Sequence, residues 1–374
     1  MLKDALRDGS IWALGAAPDR SLNGVDAAMV LTDGAQIFGF GQTAHRPFQP
    51  EERAVLSAAM GRWDKLEEAS AVVESVHAEL LSTIPGADLV GFHGLTTAHE
   101  PHGRGSCQIG DGRLLAHVLD IPVVWDFRSA DIEMGGQGTP LIPFFHHAAL
   151  RNMGNMAPAV IVDLGDIGRL SFVDPTVEIP SDTGGCLALD TGPANALIRD
   201  LIQARPGLDL DTASDLAARG AADGGILDQF AADGYFRKMP PKSLIETDFG
   251  WLSQAVSELS DADACATVTA AAAAAVVLAL EHLPSMPARL LVIGDGRRNA
   301  TMMEMIRAGA NVDVLPVEDI GLDGDKMEAQ AFAYLAVRVL RGWPTSAPGT
   351  TGVAAAVGGG VVSYPGDILQ ALGN

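Results

Sequence analysis

Short apolar segments joined by tight turns, then strands alternating with helices, constrain the fold of this chain more than any other feature. Ile11 to Ala17 reads as a strand, Ser21-Leu22-Asn23-Gly24 supplies an Asn-Gly turn, and Asp26 to Thr32 resumes with small and β-branched residues. Asp33-Gly34 turns the chain again before Ala35 to Phe40, which completes a meander of three strands. Pro50-Glu51-Glu52 opens a helix with proline and acids in its first turn, and Glu67 to Leu81 continues at helical period. Beyond it, Ala87 to Phe92 and Ile121 to Trp125 are buried-type strands that end at His93-Gly94 and Asp126, with a helical Gly110 to Leu119 between them.

The order β-β-β-α-β-α-β is the ribonuclease-H-like layout, in which ligands gather at the carboxyl ends of the strands. A second cycle begins with strands at Ala159 to Leu164, Arg169 to Val173 and Cys186 to Leu189, followed by helices at Ala194 to Gln203 and Asp211 to Arg219. It continues through an Ala-rich helix at Ala266 to His282, a strand at Ala288 to Ile293, and helices at Ala300 to Ala308 and Lys326 to Leu340. The 374 residues therefore predict an α/β protein of two ribonuclease-H-like domains, mixed sheets flanked by helices, with an active-site cleft between them. The expected division places residues 1–128 in the first domain and 129–361 in the second, with the tail 362–374 returning to the first.

Charge and cysteine content narrow the functions. A net charge of −22 argues against a nucleic-acid partner, whose affinity comes from clustered Lys and Arg. Three scattered cysteines, Cys107, Cys186 and Cys265, form neither a disulfide framework nor a zinc site. The richest apolar stretch, Ala270 to Leu280, is short and mostly alanine, and the N-terminus lacks a secretory pattern. A cytoplasmic protein with no membrane partner is expected, and a homodimer is allowed.

Leu189-Asp190-Thr191-Gly192-Pro193-Ala194-Asn195 puts a carboxylate at the start of a Gly/Pro turn leading into a helix. An Asp so placed can take a proton from a hydroxyl or water, and the turn's N–H groups can receive an anion. The same pattern also serves as an ordinary helix entry. His146-His147 resembles a metal pair only superficially, because adjacent side chains on a helix do not share a face.

Taken in order, several segments resemble the anhydro-N-acetylmuramic acid kinase family of the sugar-kinase and actin-like ATPase superfamily. They are Gly91-Phe92-His93-Gly94-Leu95-Thr96 with His99-Glu100-Pro101, Gln108-Ile109-Gly110-Asp111, and Asp126-Phe127-Arg128-Ser129-Ala130-Asp131. Next come Gly135-Gly136-Gln137-Gly138-Thr139-Pro140-Leu141, Asp190 to Asn195, Pro241-Lys242-Ser243, and Gly324-Asp325 with Glu328-Ala329-Gln330-Ala331-Phe332-Ala333. The resemblance implies hydrolytic opening of a 1,6-anhydro ring coupled to phosphoryl transfer from ATP to O6, in peptidoglycan recycling. It implies that Asp190 activates the water. His93 and Thr96 would contact the sugar, Arg128 and Asp131 would fix its position and order the domain junction, and Glu328 would hold its hydroxyls. ATP with Mg2+ is the implied cofactor pair, the metal arriving with the nucleotide and needing no protein cage.

The nucleotide loops depart from the family pattern. The first is Pro18-Asp19-Arg20-Ser21-Leu22-Asn23-Gly24-Val25-Asp26, from which Asp19, Arg20, Ser21, Asn23, Gly24 and Asp26 are the expected nucleotide-binding residues. The second, Asp163 to Arg169, offers Gly165 and Gly168; the third offers Gly294 and Gly296 around Asp295. Each loop has gained an Asp: Asp19, Asp166 and Asp295. Two like charges ~4 Å apart repel by about 4 kcal/mol at an effective dielectric of ~20. Arg20, Arg169 and Arg297 lie beside these acids, and pairing with them would close the loops, whereas turning inward would keep phosphate binding. The alternative is a nucleotide-impaired homologue, a pseudokinase that binds the sugar without phosphorylating it.

Overall fold

The computed structural model describes residues 9–19, 21–244 and 249–372. Two compact units emerge: one runs to Asn155 and resumes at Asp325, with Ile179–Asp182 added, and the other comprises Met156–Glu178 and Thr183–Gly324.

In the first unit, β1 (Ile11–Pro18), β2 (Gly24–Thr32) and β3 (Ile37–Pro47) form the expected meander, and β4 (Leu89–Phe92) pairs parallel to β1. A hairpin of β5 (Leu95–Glu100) and β6 (Gly105–Ile109) interrupts the alternation before β7 (Val123–Trp125), parallel to β4. The hairpin was not expected from the sequence. One face of the sheet buries Leu14, Ala16 and Val90 against the helix Glu67–Leu81, whose Ala69, Val73, Val76 and Leu80 recur at helical spacing. Each of the buried Leu and Val side chains contributes about 1.5–3 kcal/mol, and each alanine methyl about 0.8 kcal/mol. On the other face, a Cβ at Gly15 would lie 1.8 Å from the Ala329 carbonyl oxygen, and one at Gly91 would lie 2.1 Å from that of Phe332. Glycine at both positions therefore lets the backbone of the helix Met327–Leu340 rest on β1 and β4.

The second unit repeats the plan. Its β8 (Ala159–Leu164), β9 (Ile167–Val173) and β10 (Cys186–Pro193) are antiparallel neighbours, while β11 (Arg289–Ile293) and β12 (Asp313–Pro316) add in parallel. The order β10-β9-β8-β11-β12 matches β3-β2-β1-β4-β7 strand for strand; in the first unit a final strand, β13 (Val361–Ser363), adds antiparallel to β7. The helix Asp261–Ala279 packs into the apolar core with twelve buried residues. With the turn that follows, it is long and apolar enough to cross a membrane, but 72% of its most apolar window is buried inside the protein.

The observed division differs from the expected one at 128/129 and 361/362. Helices Ser129–Glu133, Pro143–Asn152 and Met327–Leu340 all belong with the first sheet. The reason is long-range packing: Arg338 Nη1 donates to the Gly34 carbonyl at 2.9 Å, and Asp131 accepts from Thr351 Oγ1 at 2.6 Å.

Candidate active site

In the first unit, His93 leaves the carboxyl end of β4. Its Nδ1 lies 2.9 Å from the Gly94 carbonyl and its Nε2 lies 3.0 Å from Arg128 Nη2. Because arginine only donates, this geometry assigns the hydrogen to Nδ1 and the lone pair to Nε2. Gln108 Nε2 donates to the His93 carbonyl at 2.9 Å, and Thr96 is the cross-strand partner of Gln108. The imidazole packs on Phe332 with ring centroids 4.3 Å apart. Glu328, one helical turn before Phe332, shares its face. His93, Thr96, Arg128 and Glu328 are thus linked through Gln108 and Phe332. Thr96 Oγ1 is buried and has no hydrogen-bond partner among the described residues.

Asp131 is placed differently from the expectation that it fixes substrate. It is 1% exposed and accepts from Gly138 N at 2.6 Å, Thr351 Oγ1 and Ser346 Oγ. Three donors turn it into the fold, where it ties the 131–138 loop to the 346–351 segment. His146 is buried in the helix Pro143–Asn152, and burial holds its imidazole neutral, down to about 3.

In the second unit, Asp190 lies within β10, not at the start of a turn as expected. The register with β9 shifts between Asp190 and Gly192, a bulge of the kind that re-aims side chains. Asp190 is 6% exposed; its Oδ1 accepts from Arg169 Nε at 3.1 Å and its Oδ2 from Leu244 N at 2.9 Å. A carboxylate has about four lone-pair sites, so capacity remains for a water.

Asp166 and Asp295 pair with arginines other than Arg169 and Arg297. Asp19 closes its own loop, accepting from Ser21 N at 3.0 Å and Asn23 Nδ2 at 2.9 Å; Arg20 lies outside the described residues. Asp166 pairs with Arg199, and Asp295 with Arg298 at 2.6 Å. Arg169 goes to Asp190, and Arg297 to Glu318 at 2.9 Å. Two of the three added charges are thereby offset by an arginine, and the third, Asp19, is held by neutral donors that close its own loop. Asp26, expected at the nucleotide, is held by Lys326 and by His45 Nδ1 at 3.0 Å. Gly24 abuts the Arg46 backbone, with 2.5 Å from a Cβ to its carbonyl oxygen.

The second and third loops meet at the carboxyl ends of the parallel pair β8 and β11. A Cβ at Gly294 would lie 2.5 Å from Asp163 Oδ1, and one at Gly296 would lie 2.5 Å from Leu164 Cβ. Around Gly165 the nearest atom to a Cβ is 3.5 Å away, and Gly168 abuts Thr191 Oγ1. The N-terminus of the helix Asn195–Ala204 clamps this turn, with Asn195 N donating to Gly165 O and Ala194 N to Asp166 O, both at 2.9 Å. Backbone loops at the carboxyl ends of parallel strands suit an anionic ligand, while the first amides of this helix are taken by the turn's own carbonyls. Among the described residues no cluster of His, Cys, Asp and Glu could hold a metal ion.

Sequence reasoning missed three partners of Asp190: Arg169, Leu244, and Tyr235, whose Oη donates to the Asp190 carbonyl at 2.7 Å. Arg169 is visible as a partner only once β9 and β10 are in register, Asp190 opposite Arg169.

A family model described as anhydro-N-acetylmuramic acid kinase matches residues 14–365. Curated relatives carrying that name include one from Cereibacter sphaeroides, 54% identical over 96% of this chain and 98% of its own length. One from a Ruegeria species is 52% identical over 96% of each chain, and one from Roseobacter denitrificans is 50% identical over 98% of this chain and 97% of its own.

Proposed function

This chain belongs to the anhydro-N-acetylmuramic acid kinase family, and on that footing we propose that it phosphorylates anhydro-N-acetylmuramic acid with ATP while water opens the 1,6-anhydro ring. The water oxygen bonds to C1, the C1–O6 bond breaks, and O6 takes the γ-phosphoryl group as ADP leaves. Asp190 accepts the water's proton; general bases of this kind contribute about 10²- to 10⁴-fold. The bonds from Arg169 Nε and Leu244 N fix the direction in which its carboxylate faces.

On the sugar side, Arg128 matches a lactyl carboxylate with its planar fork, and the neutral His93 holds that fork in place by accepting one hydrogen. Thr96 Oγ1, without a hydrogen-bond partner among the described residues, suits a sugar hydroxyl, and the Glu328 carboxylate, on the same helix face as Phe332, suits another. Asp131 contributes by ordering the loop behind Arg128. The strand-end glycines Gly165, Gly168, Gly294 and Gly296 hold the nucleotide phosphates by backbone, and Mg2+ enters with ATP, offsetting phosphate charge when bound. A place in cell-wall recycling follows from the sugar.

The observation that carries this reading is a buried carboxylate, oriented by two donors, inside a chain matched by the family from residue 14 to 365. Purified protein given ATP, Mg2+ and anhydro-N-acetylmuramic acid should release ADP and a sugar heavier by one water and one phosphoryl group, in equal amounts. Absence of both at high enzyme concentration would overturn it.

A further inference from the structure

Pro241-Lys242-Ser243 has no task in the reaction as proposed, yet Lys242 is only 6% exposed. We propose that Lys242 is a positioning residue for Asp190, acting in its ammonium form by holding together the two segments that grip that aspartate. The kinetic part of this inference rests on Asp190 being the base; the structural part does not.

The grip is a closed ring of contacts. Asp190 N donates to the Lys242 carbonyl at 3.0 Å, and Leu244 N donates to Asp190 Oδ2 at 2.9 Å. From the other side, Tyr235 Oη donates to the Asp190 carbonyl at 2.7 Å. Tyr235 belongs to the short helical turn Gly234–Arg237, and Lys242 Nζ joins the two sides by donating to the carbonyls of Tyr235 at 3.3 Å and Phe236 at 3.4 Å. The Tyr235 ring supports the same Nζ, 4.7 Å from its centroid. His282 Nε2 lies 2.7 Å from the Phe236 carbonyl, so it donates there, and Lys242 Nζ, 3.2 Å from that nitrogen, directs its hydrogens to the carbonyls.

Among the described residues the charged groups around this amine are few. Lys238 repels it, with its own Nζ 5.6 Å from the Tyr235 ring; His282 faces it; and Asp190, paired with Arg169, lies beyond its backbone. Burial, reinforced by Lys238, pushes the Lys242 ammonium down from the usual 10.5 to about 8. The charged form, and with it a full set of donors, is present below about pH 8 and is lost as pH rises through that value.

The test combines amide hydrogen exchange with kinetics on the full chain. In Lys242→Met the Asp190 and Leu244 amides should lose protection at least about tenfold, while those of the helix Asp261–Ala279 keep theirs. The same variant should lower kcat about 10- to 100-fold with KM for ATP and sugar little changed, as a misaimed base does. Wild-type kcat should fall on the alkaline side with a midpoint near pH 8, and Lys242→Arg should retain activity and lose that limb. Unchanged amide protection in Lys242→Met, or an alkaline limb that persists in Lys242→Arg, would overturn the proposal. A wild type without kinase activity would sink the functional reading and leave the exchange experiment to decide the role of Lys242. Should Lys242→Met fail to fold, Lys242→Arg and the wild-type pH profile decide it.

Discussion

The two sheets share one strand order but hold their polar clusters together by different means. In the first unit, His93 is a hydrogen-bonded imidazole between Arg128 and Gly94, and Asp131 is satisfied by a backbone amide and two hydroxyls. In the second, Asp190 faces Arg169, Asp166 faces Arg199, and Lys242 is an ammonium among carbonyls. Their helix contacts differ as well: the helix Met327–Leu340 rests backbone to backbone on Gly15 and Gly91, whereas Gly309 in the helix Ala300–Ala310 faces only the Val277 side chain. One scaffold thus carries two chemistries, because strand-end residues and loops vary without disturbing the sheet.

Substitutions can break that contrast. Gly91→Ala drives a Cβ into a backbone carbonyl and should cost about 3 kcal/mol or more in urea unfolding, whereas Gly309→Ala meets Cγ2 of Val277, which can yield only by a small shift of the two helices. The latter should cost about 1–2 kcal/mol, alanine's helix propensity offsetting part of the clash. Equal losses would erase the difference between the two helix contacts.

Acid should distinguish the units next. Burial lowers His77 to about 4 and His146 to about 3, both in the first unit, from an ordinary 6.5. The stability they contribute is complete above pH 6.5 and is lost as pH falls through the folded values. Between pH 8 and pH 5.5 each should remove about 1.4 kcal/mol, and His146→Gln should remove about half of their joint slope in denaturation series. A slope unaffected by that change would place the acid sensitivity elsewhere. Smallest of all, removing the helix caps Asp111 in the first unit or Asn299 in the second, each to Ala, should cost about 1 kcal/mol alike in thermal unfolding.

Much of the fold is local and therefore readable. The helix Glu67–Leu81 and the strand Ala159–Leu164 coincide with their sequence patterns, since hydrophobic period, turn residues and length agree there. The hairpin of β5 and β6 does not announce itself: Pro101, His102 and Gly103 read as loop, and the register shift between Thr96 and Ala98 breaks the alternation. The return of Met327–Leu340 to the first sheet depends on Gly15 and Gly91 meeting a helix more than 200 residues away in sequence, which no local pattern encodes. At the candidate site, Asp190 stands out by its motif, but Arg169, Tyr235 and Leu244 become its partners only through register and the path of the chain after Pro241.

If Asp190 deprotonates the attacking water, Asp190→Asn removes the base while keeping the side chain's size, at the cost of one of the two hydrogen bonds its oxygens accept. With MgATP and anhydro-N-acetylmuramic acid, kcat should then fall about 10²- to 10⁴-fold below wild type. Calorimetric affinities for both ligands should stay within a few-fold of wild type. Turnover by Asp190→Asn at close to the wild-type rate would mean that another group takes the water's proton.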